Sequence, residues 1–233
     1  MNDLRTLEIL KRHAADLVGG AMIYLRLEDG VVTISGEVED IIVKRRMTSL
    51  AASTHGVRSV VDLLRRRPKQ LMADREIRTM LVDALEEHLP FAECRILEAP
   101  VGGQEPAENR RHFVDVDVEL GLVQLSGQVP GLDLKRLAGV LAWWIPGTCE
   151  VHNELHVSDW GDTQTFGSLA ESVRLVLERD PLVDAASIRV GAKGPEVTLA
   201  GPPLPARYRK IAEEDAWYVH GVTRVRNLIP DSE

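Results

Sequence analysis

One interval recurs three times along this chain of 233 residues and limits what it can fold into. A glycine that ends a short apolar–polar alternation is followed 20 residues later by a second glycine. The three pairs are Gly36 and Gly56, Gly127 and Gly147, and Gly201 and Gly221. A fixed interval with the same pattern around it is the signature of tandem copies of one small structural unit. The chain is therefore expected to fold as three related modules rather than around one large core.

The residues around each first glycine predict strands, and the segments on either side of them predict helices. In the first copy Val32, Ile34 and Val38 alternate with polar residues, which is typical of a half-buried strand. Asp29-Gly30 supplies a hairpin turn before that strand, and a further strand follows each second glycine. First helices are predicted at about residues 4–17, 75–88 and 169–179, with N-caps at Asp3, Asp74 and Ser168, and second helices at about 40–53, 132–144 and 206–219.

Each copy therefore has the predicted order α-β-β-α-β. This order makes an α+β two-layer sandwich, in which a three-stranded sheet carries two helices on one face. The other face of each sheet is expected to be polar. The predicted modules span residues 1–67, 74–158 and 166–230, and an inserted loop at about 99–111 in the second is expected to be mobile and exposed.

The repeated segments resemble a known family. They are DGVVTISGEV with HGVRSVVDLL, LGLVQLSGQV with PGTCEVHNEL, and GPEVTLAGPP with HGVTRVRNLI. This pattern is similar to the BON domain, which is named for bacterial osmotically inducible and nodulation proteins. The resemblance implies non-catalytic binding or attachment modules, with phospholipid or membrane-surface binding in osmotic or envelope stress as the usual proposal. In this resemblance the six glycines are structural, and no functional residue is carried over.

Composition and motifs narrow the class of function. The formal net charge of −8 disfavours long-range attraction to nucleic acid. The first 17 residues carry charges throughout, so a secretory leader is not expected there. No stretch of about 18 apolar residues predicts a transmembrane helix. We therefore expect a cytoplasmic protein, at most peripherally attached to a membrane, in which Cys94 and Cys149 are reduced. Since no catalytic or nucleotide-binding motif is present, no enzyme activity and no cofactor are expected.

A pair of basic residues recurs eight and nine residues after each first glycine, near the start of the second helix. The pairs are Lys44-Arg45, Lys135-Arg136 and Arg209-Lys210. The helix dipole disfavours cations at a helix start, so their recurrence suggests a contact with a phosphate or a lipid headgroup. The alternative is a solvated helix surface whose aliphatic stems cover the edge of the core.

Tryptophans give a second candidate surface. Trp143 and Trp217 stand at equivalent positions and are predicted to be in the core. Trp144 lies about 100° further around the same helix, so it cannot point into the same core. Trp144 or Trp160 is therefore a candidate exposed aromatic, which suits a membrane interface or a partner contact. Packing between the modules is the alternative.

A metal site is conceivable in the second copy. One predicted strand carries Asp115, Asp117 and Glu119 on a single face, and another carries His152, Glu154 and His156. If these strands are neighbours, imidazole and carboxylate ligands could converge. The same alternation is also found in any antiparallel sheet with one solvated face.

These features together predict a non-catalytic adaptor that binds a phospholipid surface or a protein partner. A soluble sensor of a small ligand or cation, and a structural scaffold for protein interactions, are the alternatives. The sequence does not favour one oligomeric state.

Overall fold

A computed structural model gives the structure of the protein and describes residues 3–18, 22–98, 112–158 and 168–232. The chain divides into two compact units, Met1–Lys69 and Gln70–Glu233. The first unit contains one module and the second contains two. The predicted loop at 99–111 and Trp160 lie outside the described residues.

The first module has the predicted order of elements. These are α1 (Asp3–Val18), β1 (Ile23–Glu28), β2 (Val31–Val38), α2 (Ile41–Ser53) and β3 (Ser59–Arg66). β2 is the central strand, antiparallel to β1 and parallel to β3. Leu10 of α1 and Met47 of α2 pack with Ile34 and Leu64 of the sheet in one buried cluster. Both helices therefore cover the same face of the sheet.

The second module extends the predicted three-stranded arrangement. Its elements are α3 (Asp74–Glu87), β4 (Arg95–Glu98), β5 (Phe113–Glu119), β6 (Leu122–Val129), α4 (Leu132–Trp144), β7 (Glu150–Asn153) and β8 (His156–Val157). The strand order is β4-β5-β6-β7, and β8 also pairs with β6. β7 and β8 are the two halves of the predicted last strand, separated where Leu155 turns fully into the core. β4 is an additional edge strand parallel to β5.

The third module returns to three strands. Its elements are α5 (Leu169–Leu177), β9 (Arg189–Lys193), β10 (Glu196–Ala200), α6 (Ala206–Tyr218) and β11 (Arg224–Asn227). β10 is central, antiparallel to β9 and parallel to β11. Within the second unit α4 packs against α5, and the Arg136 Nη1 donates to Ser172 Oγ at 3.1 Å. The buried Trp143 and Trp217 confirm the prediction that both belong to the core.

The structure explains why glycine occupies both repeated positions. A Cβ on Gly36 would lie 2.3 Å from the Met22 carbonyl oxygen, and one on Gly127 would lie 2.3 Å from that of Phe113. The first glycine of each pair therefore permits close approach of the preceding strand. The second glycines have φ angles of 93°, 88° and 97°, which side chains with a Cβ rarely adopt. They close the turn between the second helix and the last strand.

The hairpin turns and helix caps show where local rules hold. Asp29 and Gly30 both have positive φ, as the predicted two-residue turn requires. Ser168 is confirmed as an N-cap, since its side chain accepts from the Glu171 amide. The prediction for Asp74 is wrong, because α3 begins at Asp74 and its N-cap is Ala73. The Asp74 carboxylate instead accepts from the amides of the β5–β6 turn, at residues 120 and 121.

Candidate binding surfaces on the open sheet faces

Three of the six basic residues at the helix starts are held in internal contacts. Lys44 Nζ donates to the Leu64 carbonyl at 2.6 Å, and its side chain is only 13% exposed. The Arg136 guanidinium binds Ser172 on α5. Arg209 pairs with Asp231 at 2.9 Å. These contacts join the second helices to a strand, to the next module and to the C-terminal segment.

The other three basic residues differ in exposure. Arg45 and Lys135 are half-buried, whereas Lys210 is exposed and lies 3.3 Å from Glu214. Each pair belongs to its own module, so no two pairs share one helix. A phosphate contact at the helix starts stays a prediction, and Lys210 is the member with the most exposed side chain of those that the ion pairs describe, at 78%.

One position of the repeat braces the helix start in the second and third modules, and sequence reasoning missed its role. Asn153 Nδ2 donates to the Lys135 carbonyl at 2.6 Å, and Asn227 Nδ2 donates to the Arg209 carbonyl at 2.9 Å. In the first module Asp62 occupies this position, and a carboxylate cannot donate in this way. The spacing of 26 residues from the first glycine in every copy was the signal available in the sequence.

In each module the sheet face opposite the helices is open, and in the first module it carries three exposed apolar side chains among polar ones. Tyr24, Val61 and Leu63 point away from the helices and are 63%, 43% and 56% exposed. We call these three residues the apolar face. Arg26, Thr33 and Ser35 lie on the same face, so the prediction of a polar open face is confirmed only in part for this module. Strand alternation determines which side chains point outward but not their chemistry.

The open face of the second module is acidic. Its carboxylates are Asp115, Asp117, Glu119, Glu150 and Glu154, and we call this set the acidic face. Arg95 on β4 is the cation within the same rows of the sheet, and Arg78 reaches Asp117 from α3 at 3.1 Å. Burial, and then the charge of Asp117, raise the pKa of Asp115. The acidic face therefore retains unfavourable repulsion between like charges.

The predicted metal ligands lie on this face but are not brought together. β6 lies between β5 and β7, so the row at Asp115 and the row at His152 are not on neighbouring strands. His156 is on β8, beyond the end of β7. The condition on which the metal prediction depended is not met. In the described part of the chain, no group of three or more His, Cys, Asp or Glu side chains is placed to hold a metal ion.

The open face of the third module is basic. Arg189 and Lys193 extend from β9, and Arg224 and Arg226 extend from β11. Glu196 on the central strand is the carboxylate in these rows, 2.6 Å from Arg226 and 3.7 Å from Arg224. We call these five residues the basic face. Four cations against one carboxylate give it a net charge of +3.

The aromatic and cysteine side chains add little to these surfaces. Trp144 is half-buried, and the structure does not describe Trp160. Cys94 and Cys149 form no disulfide within the described residues. Burial raises the pKa of the Cys94 thiol to about 11, so it is protonated at neutral pH and is a poor nucleophile.

An open groove of about 390 Å³ lies in the third module between the segment after α5 and the start of α6. Its walls are mainly apolar and include Leu182, Leu204 and Tyr208, with Asp184 as the carboxylate among its lining residues. The guanidinium of Arg207 lies 5.9 Å from the centre of the Tyr208 ring. In the described residues, no helix is long and apolar enough to cross a membrane.

Comparison with solved structures found distant likenesses. The C-terminal domain of CdsD, a structural protein of the type III secretion system of Chlamydia trachomatis, is 13% identical, with 100% of each chain covered and a TM-score of 0.25. A second structure of CdsD is 14% identical, covers 96% of this chain and 92% of that one, and has a TM-score of 0.24. No inference follows from scores this low. The search of curated proteins found no match.

The family comparison agrees with the repeat. The BON domain pattern matches residues 6–68, 106–159 and 167–229, one segment for each predicted module. These segments include most of the chain and confirm the resemblance identified from the glycine spacing. The chain therefore belongs to the BON domain family and contains three tandem copies of the domain.

Proposed function

We propose that this protein is a non-catalytic binding protein that docks on an anionic phospholipid surface through the basic face of its third module. The observation that carries the proposal is the exposure of this face. The side chains of Arg224 and Arg226 are 65% and 56% exposed, and Arg189 and Lys193 are exposed beside them. A solvated row of cations on an open sheet face can contact several headgroups at once.

The expected strength follows from the charge. A Lys or Arg close to an anionic membrane contributes about 1 kcal/mol, so a net charge of three amounts to about 3 kcal/mol. Such binding is peripheral, reversible and screened by salt. Leu228 is 63% exposed directly after β11, where it can add apolar contact with the interface.

The basic face suits this role better than the helix starts do. Lys44, Arg136 and Arg209 already bind groups of the protein, so a phosphate would have to displace those contacts. The non-catalytic part of the proposal is supported by the family and by the protonated Cys94 thiol. A groove open to solvent also offers little exclusion of water.

Liposome flotation tests the proposal. The wild-type protein is expected to float with vesicles that contain phosphatidylglycerol at low salt, and not with vesicles of phosphatidylcholine alone. Arg189→Glu/Lys193→Glu is expected to abolish flotation, because it changes the charge of the basic face from net positive to net negative. The matched control is Lys11→Glu/Arg12→Glu, which reverses two exposed cations on α1.

A further variant separates the two candidate surfaces. Lys210→Glu removes the most exposed cation of the helix starts and is expected to leave flotation unchanged. Loss of flotation in Lys210→Glu with retention in Arg189→Glu/Lys193→Glu would move the site to the helix starts. Absence of flotation under every condition would reject phospholipid binding.

A further inference from the structure

Two open faces of opposite charge lie in the same compact unit of the chain. The acidic face belongs to the second module and the basic face to the third, and both modules are in the unit Gln70–Glu233. Glu119 and Glu154 are exposed on one face, and Arg189 and Lys193 are exposed on the other. Because these side chains are exposed, the two faces do not neutralise each other within one copy of the chain.

The acidic face has few cations of its own. Arg78 pairs with Asp117, and Arg95 lies at the edge strand. Glu154 accepts a long hydrogen bond of 3.4 Å from the neutral amide of Gln124, which does not offset its charge. Asp115 has a buried carboxylate oxygen, Oδ1, for which no hydrogen-bond partner is found among the described residues. A cationic partner would therefore reduce the repulsion between the carboxylates of this face.

The basic face is unbalanced in the opposite direction. Glu196 is placed between the cations of β11, within 3.7 Å of both Arg224 and Arg226. Its single carboxylate cannot neutralise two guanidinium groups. Arg189 and Lys193 lie on the other edge strand, β9, and no ion pair is found for them in the described part of the chain. The face therefore carries excess positive charge on both of its edge strands.

From these two surfaces we infer that the protein self-associates, with the basic face of one copy docked on the acidic face of a second copy. The occupant of each face is the other face of the same chain. Both faces are the exposed sides of sheets, so two copies can approach with these faces opposed. Complementary charge supplies orientation and the rate of encounter.

This contact uses different surfaces on the two partners. A contact of this kind leaves a free acidic face on one copy and a free basic face on the other, unless a symmetric pair closes both at once. The mass is therefore expected to grow with protein concentration. The inference shares its basic face with the proposed function, so a second copy and an anionic membrane compete for that face.

Sedimentation velocity over a range of concentrations tests the inference on the full chain. At low salt the average mass is expected to rise with concentration, and at about 0.5 M NaCl it is expected to fall to that of the monomer. Arg189→Glu/Lys193→Glu and Glu119→Lys/Glu154→Lys are each expected to weaken association by about tenfold or more, because each places like charges across the contact. The matched control is Glu86→Lys/Glu87→Lys, which changes two exposed carboxylates on α3 and is expected to associate as the wild type does.

Mixing the two variants gives the most specific test. Each variant alone retains one intact face, and it is expected to be mainly monomeric at a concentration where the wild type associates. An equal mixture combines the intact basic face of one variant with the intact acidic face of the other, so it is expected to form a complex of one copy of each. Circular dichroism melts that match the wild type exclude unfolding as the cause of monomeric behaviour.

The opposite outcomes are equally clear. A wild type that stays monomeric at every concentration at low salt would overturn the inference, as would association that neither variant weakens or a mixture that does not combine. Flotation separates this failure from that of the proposed function. Glu119→Lys/Glu154→Lys keeps the basic face, so it should float with anionic vesicles whether or not the copies associate.

Discussion

The first and third modules are the closest in architecture, yet their equivalent positions carry different chemistry. Both have a three-stranded sheet in which the second strand of the module is central. Twelve residues after the first glycine the first module has Thr48, and the third has Glu213. The position 26 residues after that glycine is Asp62 in the first and Asn227 in the third. Thr48 donates to Asp62, whereas Asn227 donates to Glu213.

Donor and acceptor have therefore exchanged places between the two modules. The second module adds a third solution, since Gly139 stands at the first position and a Cβ there would lie 3.0 Å from Asn153 Nδ2. In each module the two positions are compatible with each other. The comparison indicates that the fold needs a satisfied brace between the second helix and the last strand, and not one particular pair of residues.

The largest difference between the modules is expected in their response to pH. Fourteen residues after the first glycine the first module has Leu50, and the third has Asp215, which is only 4% exposed. Burial, and then the charge and hydrogen bond of Asp180 and the charge of Glu214, raise the pKa of Asp215 to about 8. Between about pH 4, the ordinary value for Asp, and pH 8 the folded protein holds a proton that the unfolded chain releases.

The stability of the third module is therefore expected to fall as pH rises through this window and to level off above it. Asp215→Asn is expected to remove most of the slope, and Asp215→Leu, the residue type at this position in the other two modules, is expected to raise the melting temperature at pH 8. Thermal melts between pH 5 and pH 9 measure both. A pH slope that survives in Asp215→Asn would show that another group causes it.

Replacing the first glycine with alanine should cost more stability in the first module than in the third. Gly36 has a φ of 131°, and a Cβ there would lie 2.3 Å from a backbone carbonyl, so Gly36→Ala requires the strands to separate. We expect it to destabilise the protein by about 3 kcal/mol or more. Gly201 has no positive φ, and its Cβ would be 2.8 Å from the Ser187 carbonyl, so Gly201→Ala should cost about 1–2 kcal/mol.

Denaturant unfolding of the two variants measures this difference. Gly191→Ala is the control, because nothing lies within 4 Å of its added Cβ. Equal losses of stability in Gly36→Ala and Gly201→Ala would mean that the positive φ of Gly36 adds no cost to the substitution.

The brace predicts a smaller effect with a specific rescue. Asn227→Asp removes the donor to the Arg209 carbonyl and places a carboxylate beside Glu213, which should cost about 2 kcal/mol at neutral pH. Asn227→Asp/Glu213→Thr recreates the arrangement of the first module and is expected to recover at least half of the loss. Urea unfolding at pH 7 measures the coupling energy of the two positions. If the effects of the two substitutions on the free energy of unfolding are additive, the two positions are not coupled and the brace does not stabilise the module.

Much of the fold could be predicted from the sequence because its rules are local. The glycine interval and the apolar alternation predicted α4 over residues 132–144, and the helix spans Leu132–Trp144. The edge strand β4 was missed, since it lies outside the repeated pattern and forms only by pairing with β5. The role of Asp74 was missed for the same kind of reason, because its carboxylate binds a turn 46 residues away.

The candidate surfaces were less predictable than the fold. The basic pairs at the helix starts were visible as a pattern, but their contacts depend on where β3, α5 and the C-terminal segment pack. The basic face combines cations from β9 and β11, which are 35 residues apart at Arg189 and Arg224 and meet only through the central strand. Each edge strand carries only two of the four cations, which is too few to indicate a basic surface from the sequence. Surfaces assembled from several strands require the pairing order as well as the alternation.

The smallest expected effect concerns the apolar face of the first module. Leu63 and Leu64 are consecutive residues of β3, yet they are 56% and 0% exposed. Leu64→Ala should cost about 2–5 kcal/mol, because it opens a cavity between the sheet and its helices. Tyr24→Ser/Leu63→Ser removes more apolar surface but should change stability by less than about 1 kcal/mol, since these side chains contact water in the folded protein. Thermal melts compare the two. A large loss in the double variant would mean that the apolar face is covered in solution, as only a packed side chain resists replacement by serine.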